Sequence, residues 1–146
     1  MLTGCSKDKP EPKLEIGQEY QGGKIAYLDA TGKHGLIAAP ADQSAGIQWY
    51  NGSDIATGAT GTAIGTGKNN TTKIVQAQRA GNYAAKLCDD LVLNGYNDWY
   101  LPSQDELKEL YKNKDLIGGF TTGWYWSSTE SASYYALALK FDSVCQ

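Results

Sequence analysis

Acid–base or nucleophilic chemistry needs a base, a nucleophile and an orienting group within reach of one another, and this 146-residue chain offers few such groups. Its carboxylates gather at Asp89-Asp90 and at Asp105, Glu106 and Glu109. Helical spacing turns most of these toward solvent or toward helix caps, whereas a glycoside-hydrolysing pair must face across a cleft. The single histidine, His34, falls in the turn Gly32-Lys33-His34-Gly35 without neighbours that would make it a base or ligand, so a solvated turn residue is expected. One histidine and no Cys-x-x-Cys argue against structural zinc or thiol redox chemistry. The Gly-rich run from Gly58 to Lys68 invites a phosphate-loop reading, but Thr62 stands where the first glycine belongs and Asn69 follows Lys68. A flexible loop is expected there. No catalytic residue, cofactor or metal is assigned.

Binding is better provided for than catalysis. Tyr and Trp supply rigid contact area, and Ser supplies hydrogen bonds at low entropic cost. Trp124, Ser131, Ser133, Tyr134 and Tyr135 combine the two, with Trp49 and Tyr50 as a second group. A packing role competes for Trp99, Trp126 and at least one of Trp124 and Trp49, because compact domains bury most of their tryptophans.

The elements that would carry these residues are legible in outline. The length suits one domain with its own core. A net charge of -3 with no basic stripe argues against nucleic acid. Lys24 to Asp29 and Leu36 to Pro40, separated by a Gly-bearing turn, read as an antiparallel hairpin. Ile47 to Tyr50 is expected as a short strand or an aromatic plug under a long loop. Apolar residues at three-to-four spacing predict a helix from about Lys73 to Asn94, started by Thr71 or Thr72 and stopped by Gly95.

The stretch Gly95 to Leu110 organises the rest. Asp98-Trp99-Tyr100-Leu101 reads as a short buried strand ended by Pro102. Ser103 and Glu106, three apart before Leu107 and Leu110, form a capping-box pattern and open a second helix to about Asn113. Trp124 to Trp126 and Tyr134 to Phe141 are two further strands, joined by the polar segment Ser127 to Ser133.

Met1-Leu2-Thr3-Gly4-Cys5 resembles the end of a bacterial lipoprotein signal, in which the cysteine is acylated. Without a basic n-region or an apolar h-region, it implies a shortened start with Cys5 as the mature first residue. The charged, Pro-bearing run Ser6 to Lys13 reads as a tether. Residues 1–16 are thus assigned to anchor and tether and 17–146 to the domain. An export compartment permits a Cys88–Cys145 bridge, but a buried Cys88 thiol on the apolar helix face is favoured.

Trp99-Tyr100-Leu101-Pro102-Ser103 with Glu106-Leu107, Gly118-Gly119-Phe120 and Tyr125-Trp126-Ser127-Ser128-Thr129-Glu130 resembles the signature of the Lcl C-terminal domain family. Gly32 to Pro40 and Gly46 to Tyr50 fit the same pattern, so the resemblance spans roughly Gly17 to Phe141. It implies an α+β, C-type-lectin-like fold, with two helices packed on short antiparallel sheets between long loops. It also implies a binding role on bacterial surfaces, distantly similar in fold to formylglycine-generating enzymes but without the cysteines their activity uses. The calcium-site tripeptides of sugar-binding lectins are absent. Family members usually continue into a further strand beyond the point matching Gln146, so an open sheet edge able to self-associate is expected. The partners so implied are an extracellular glycan or protein and the membrane of the bacterial envelope, reached through a lipid on Cys5. A structural or assembly subunit of a surface appendage is the alternative, and an enzyme related to the formylglycine-generating fold is the third reading.

Overall fold

The computed structural model describes residues 11–132 and 135–142. Among these the architecture is α+β: a three-stranded antiparallel sheet, four helices and a two-stranded antiparallel ribbon. The first sheet comprises β1 (Glu19–Tyr20), β2 (Gly23–Leu28) and β3 (Gly35–Ala38), ordered β1-β2-β3. Gln21 and Gly22 join β1 to β2 with φ of 48° and 81°, the double left-handed turn that suits the twist of a tight hairpin. The predicted β2–β3 hairpin forms, and His34 is exposed in its turn. A bulge between Ile25 and Tyr27 interrupts the ladder. It frees the Ala26 carbonyl to accept a 3.2 Å hydrogen bond from the Asn113 side chain.

The long predicted helix is two. α1 spans Gly67–Gln78 and α2 spans Ala84–Asp89. Between them Arg79 adopts φ 60° and ψ -137° and Gly81 φ 154°, conformations no helix accommodates. Tyr83, fully buried, donates its hydroxyl to the Arg79 carbonyl at 2.6 Å and fixes the break. The N-terminal cap is Thr66, not Thr71 or Thr72. Thr71 lies buried inside α1, where its hydroxyl bonds the Gly67 carbonyl and accepts from the Leu101 amide at 3.0 Å.

That contact explains a second difference. Asp98 to Leu101 is not a strand but an irregular run, because the Leu101 amide is satisfied by a threonine side chain instead of a neighbouring strand. The predicted capped helix is present as α3 (Gln104–Lys112), with both halves of the capping box made. A short α4 (Lys114–Ile117) follows.

The ribbon pairs β4 (Gly123–Ala132) with β5 (Tyr135–Phe141). Ser127 to Glu130, expected in a polar loop, belong to β4 and are buried. Most of the polar groups find partners, the exceptions being the Ser128 hydroxyl and Glu130 Oε1, which are buried without one. The Ser127 hydroxyl donates to the Leu137 carbonyl at 2.8 Å, and the Thr129 hydroxyl donates to the Gly61 carbonyl at 2.8 Å. The Ser128 and Glu130 amides reach the Pro102 and Ala59 carbonyls. The main core gathers Trp49, Ala59, Ile74, Tyr83, Ala84, Ala85 and Leu101, and a smaller one lies under the first sheet around Ala26, Ala38 and Ile117. Cys88 packs half-buried against the main core, and burial, with Asp89 adding, pushes its thiol up to about 11. Cys5 and Cys145 lie outside the described residues.

The Gly-rich loop is anchored rather than loose. Glu130 Oε2 accepts from the Thr57 amide (3.0 Å), the Thr57 hydroxyl (2.8 Å) and the Gly58 amide (3.0 Å). Asn70 pairs with Gly61 through both ends of its amide. Farther on, Glu106 Oε1 accepts from the Gly65 amide at 2.8 Å. The loop then runs into the start of α1, and the carboxylate occupying that position is the protein's own Glu106.

Candidate functional site

A cleft of about 780 Å³ opens between β3, the loop from Ala41 to Ile47, α2, the irregular run through Tyr96 to Pro102, and the start of β4. That volume falls in the range of small-ligand sites. The loop, the irregular run and β4 are fixed by specific contacts. Trp126 donates its indole N–H to the Ile47 carbonyl at 2.8 Å, tying β4 to the loop opposite. Trp99 donates its own to the Tyr96 carbonyl at 3.1 Å. The Tyr125 hydroxyl donates to Asp42, with its oxygen 2.7 Å from Oδ2, and accepts from the Thr121 amide at 2.9 Å. Thr121 also donates its hydroxyl to Asp42 Oδ2 at 3.1 Å. Burial raises the Tyr125 hydroxyl pKa, with the Asp42 carboxylate also pushing upward. Beneath, Tyr125 packs on Phe141 and Phe120, with ring centroids 4.4 and 5.6 Å away.

At the floor Glu106, 1% exposed, is committed to the frame. Its carboxylate accepts from the Ser103 amide (2.7 Å), the Gly65 amide (2.8 Å) and the Tyr100 hydroxyl (3.3 Å). Tyr100 is pushed far up, first by burial and then by this carboxylate. Both oxygens of Glu106 are thus occupied by structural donors.

The structure divides the residues singled out from sequence. Trp124 lines the cleft and is 71% exposed. Tyr135 is 70% exposed but stands at the far end of the ribbon, paired with Ala132. Ser131 is exposed beside it, with its hydroxyl 3.3 Å from the Tyr135 carbonyl. Neither Ser131 nor Tyr135 lines the cleft. Trp49 is a correction: it is 6% exposed in the main core, and its indole donates to the Ser127 carbonyl at 2.8 Å. This is the aromatic plug expected under the long loop. Tyr50 is exposed away from the cleft. Ser133 and Tyr134 lie outside the described residues.

Asp42, Tyr96 and Asp98 line the cleft and were not singled out. The available signal was an aspartate set directly before two aromatics, Asp98-Trp99-Tyr100, in a run otherwise fit for burial. Among the described residues no group of three His, Cys, Asp or Glu side chains could hold a metal ion, and no helix is long and apolar enough to cross a membrane.

The model of one protein family, the Lcl C-terminal domain, matches residues 39–145. No curated protein and no solved structure matches the chain. The match contains the loop, the irregular run, α3 and the ribbon, hence most of the cleft.

Proposed function

The chain belongs to the Lcl C-terminal domain family, and from that premise we propose that it is a surface-anchored ligand-binding module, adhesin- or lectin-like, recognising an extracellular glycan or protein. Membership supports a general surface-associated role. The finer reading is carried by one observation, the aromatic-walled cleft with Trp124 exposed at its edge. Covering that ring with a partner would remove its apolar surface from water. Within this proposal the fold is C-type-lectin-like, Cys5 carries the lipid that holds the domain to a bacterial envelope, and the module binds without catalysing. The saturation of Glu106 by structural hydrogen bonds supports the last point.

The test is a screen of the purified chain against a glycan array and extracellular-matrix proteins, with calcium and with chelator. Saturable binding weakened by Trp124→Ala in a folded protein is expected. Absence of any saturable ligand from a monodisperse protein would refute the proposal.

A second reading is an assembly subunit. It is favoured by β5, whose outer edge has no strand partner among the described residues. β4, by contrast, has its outer edge bonded to Ala59 and Pro102. An open edge is a template for another strand. Sedimentation across a concentration series would show self-association if this reading holds and a constant monomer mass if it does not.

A further inference from the structure

We infer that the cleft takes a neutral, hydroxyl-rich glycan and rejects sulfated or carboxylated ones; this names the ligand class of the proposed binding module and rests on that reading.

Charge carries the first step. Among the described residues no Lys, Arg or His lines the cleft, whereas Asp42, Asp98 and Glu106 do. Anionic sugars are ordinarily held by guanidinium or ammonium groups, or by free amides at a helix N-terminus. α3, which reaches the cleft through Glu106, has no such amides to give. The Gln104 amide donates to the Thr129 hydroxyl, the Asp105 amide to the Thr62 carbonyl and the Glu106 amide to the Ser103 hydroxyl. An anion entering this site would lose water and meet carboxylates.

The second step is what the remaining groups offer. The indole N–H groups of Trp99 and Trp126 are spent on internal carbonyls, so these side chains contribute ring surface rather than donors. Trp124 adds an exposed ring at the mouth. Glu106 is saturated, and Asp42 already accepts from Tyr125 and Thr121. Asp98 accepts no protein hydrogen bond among the described residues, is exposed, and adjoins Trp99. A free carboxylate is an acceptor only. An acceptor beside ring faces matches a sugar, whose hydroxyls donate and whose C–H face packs on an aromatic plane. A basic peptide would find a single carboxylate with free acceptor capacity, Asp98, because the oxygens of Asp42 and Glu106 are taken by protein donors, so the several ion pairs such a ligand makes cannot form.

The experiment titrates the full chain by calorimetry with laminarihexaose, cellohexaose and mannohexaose. A sulfated heparin hexasaccharide, sialyllactose and an oligolysine peptide are titrated in parallel at low salt. Saturable binding of at least one neutral hexasaccharide is expected, with none of the acidic sugars bound. Trp124→Ala should weaken that binding about tenfold or more, and Asp98→Asn severalfold, with circular dichroism unchanged in both. Binding of the heparin fragment or of oligolysine in place of the neutral sugars would overturn the inference while leaving a binding module standing. Neutral-sugar binding indifferent to both substitutions would place the site elsewhere and overturn it too. If the array and matrix screen also finds no ligand of any class, the binding reading itself falls and takes this inference with it.

Discussion

Replacing Glu106 tests whether a single buried side chain holds three separate segments together. Its carboxylate receives the Ser103 amide at the start of α3, the Gly65 amide at the end of the Gly-rich loop and the hydroxyl of Tyr100. Glu106→Gln preserves volume but sets an NH₂ against one of the two amides. One buried donor then loses its acceptor, costing about 1–3 kcal/mol, and the surviving bonds fall from charge-assisted to neutral, about 1 kcal/mol more. The expected loss is about 3 kcal/mol for Glu106→Gln and about 5 kcal/mol for Glu106→Ala, which removes every acceptor. Set against a total stability of roughly 5–15 kcal/mol, the alanine variant should be largely unfolded or close to it. Urea denaturation is the assay, and a loss of about 3 kcal/mol moves the midpoint by about 1–2 M. Glu109→Gln on the same helix is the control. Its one ion pair among the described residues, with Lys112 at 3.7 Å, is on the surface, and its loss should cost under about 1 kcal/mol. A Glu106→Gln protein within about 0.5 kcal/mol of wild type would refute the reasoning.

Three other substitutions or conditions follow from the same geometry. A Cβ on Gly67 would collide with Glu106 Oε2 and lie 2.7 Å from Tyr100 Cε2 and 2.8 Å from the Ser103 amide nitrogen, so Gly67→Ala should lower stability by about 1–3 kcal/mol in urea, although alanine is the better helix former. Arg79→Gly should act oppositely, relieving the φ 60°, ψ -137° backbone and raising the midpoint by the equivalent of about 1 kcal/mol. The alkaline limit is set partly by Cys88, whose thiol is shifted by burial from 9.0 to about 11. Between those values the folded chain holds a proton the unfolded chain has lost, so stability falls as pH rises from 9 to 11; Cys88→Ala should flatten that part of the pH–stability curve. In the folded protein at pH 8, alkylation of Cys88 should be slow and accelerate on unfolding.

What the sequence discloses and what it conceals divide along the range of the interactions. Ser103 and Glu106 announce their cap because both partners lie within one helical turn. The β2–β3 hairpin is equally local. The break after Gln78 escapes periodicity, because Ala80, Ala84, Leu87 and Cys88 keep helical spacing across a point where Asn51, far off in sequence, donates to the Gln78 carbonyl and Arg79 turns to φ 60°. Ser127 to Glu130 look like loop because Ser127, Thr129 and Glu130 Oε2 bond to Leu137, Gly61, Thr57 and Gly58, partners no local window contains. The site was half visible for the same reason. Trp124 reveals itself as an aromatic beside polar residues, but Asp98 and Asp42 become its neighbours in the cleft only once loop and run have folded against β4.

The ribbon sets a length scale. Trp124 lies near its base, paired with Lys140, and Tyr135 near its tip, paired with Ala132. At ~3.3 Å per residue the strand from Trp124 to Ala132 covers about 25 Å, somewhat less after its bulges. A ligand shorter than this touches one exposed ring or the other, so for short oligomers Tyr135→Ala should be silent beside Trp124→Ala and the two should add without coupling. A polymer long enough to reach both would gain avidity through tethering, its second contact having become intramolecular. A series of oligomers of increasing length would then show a step in affinity near the span of the strand, with the protein serving as a molecular ruler for its own ligand.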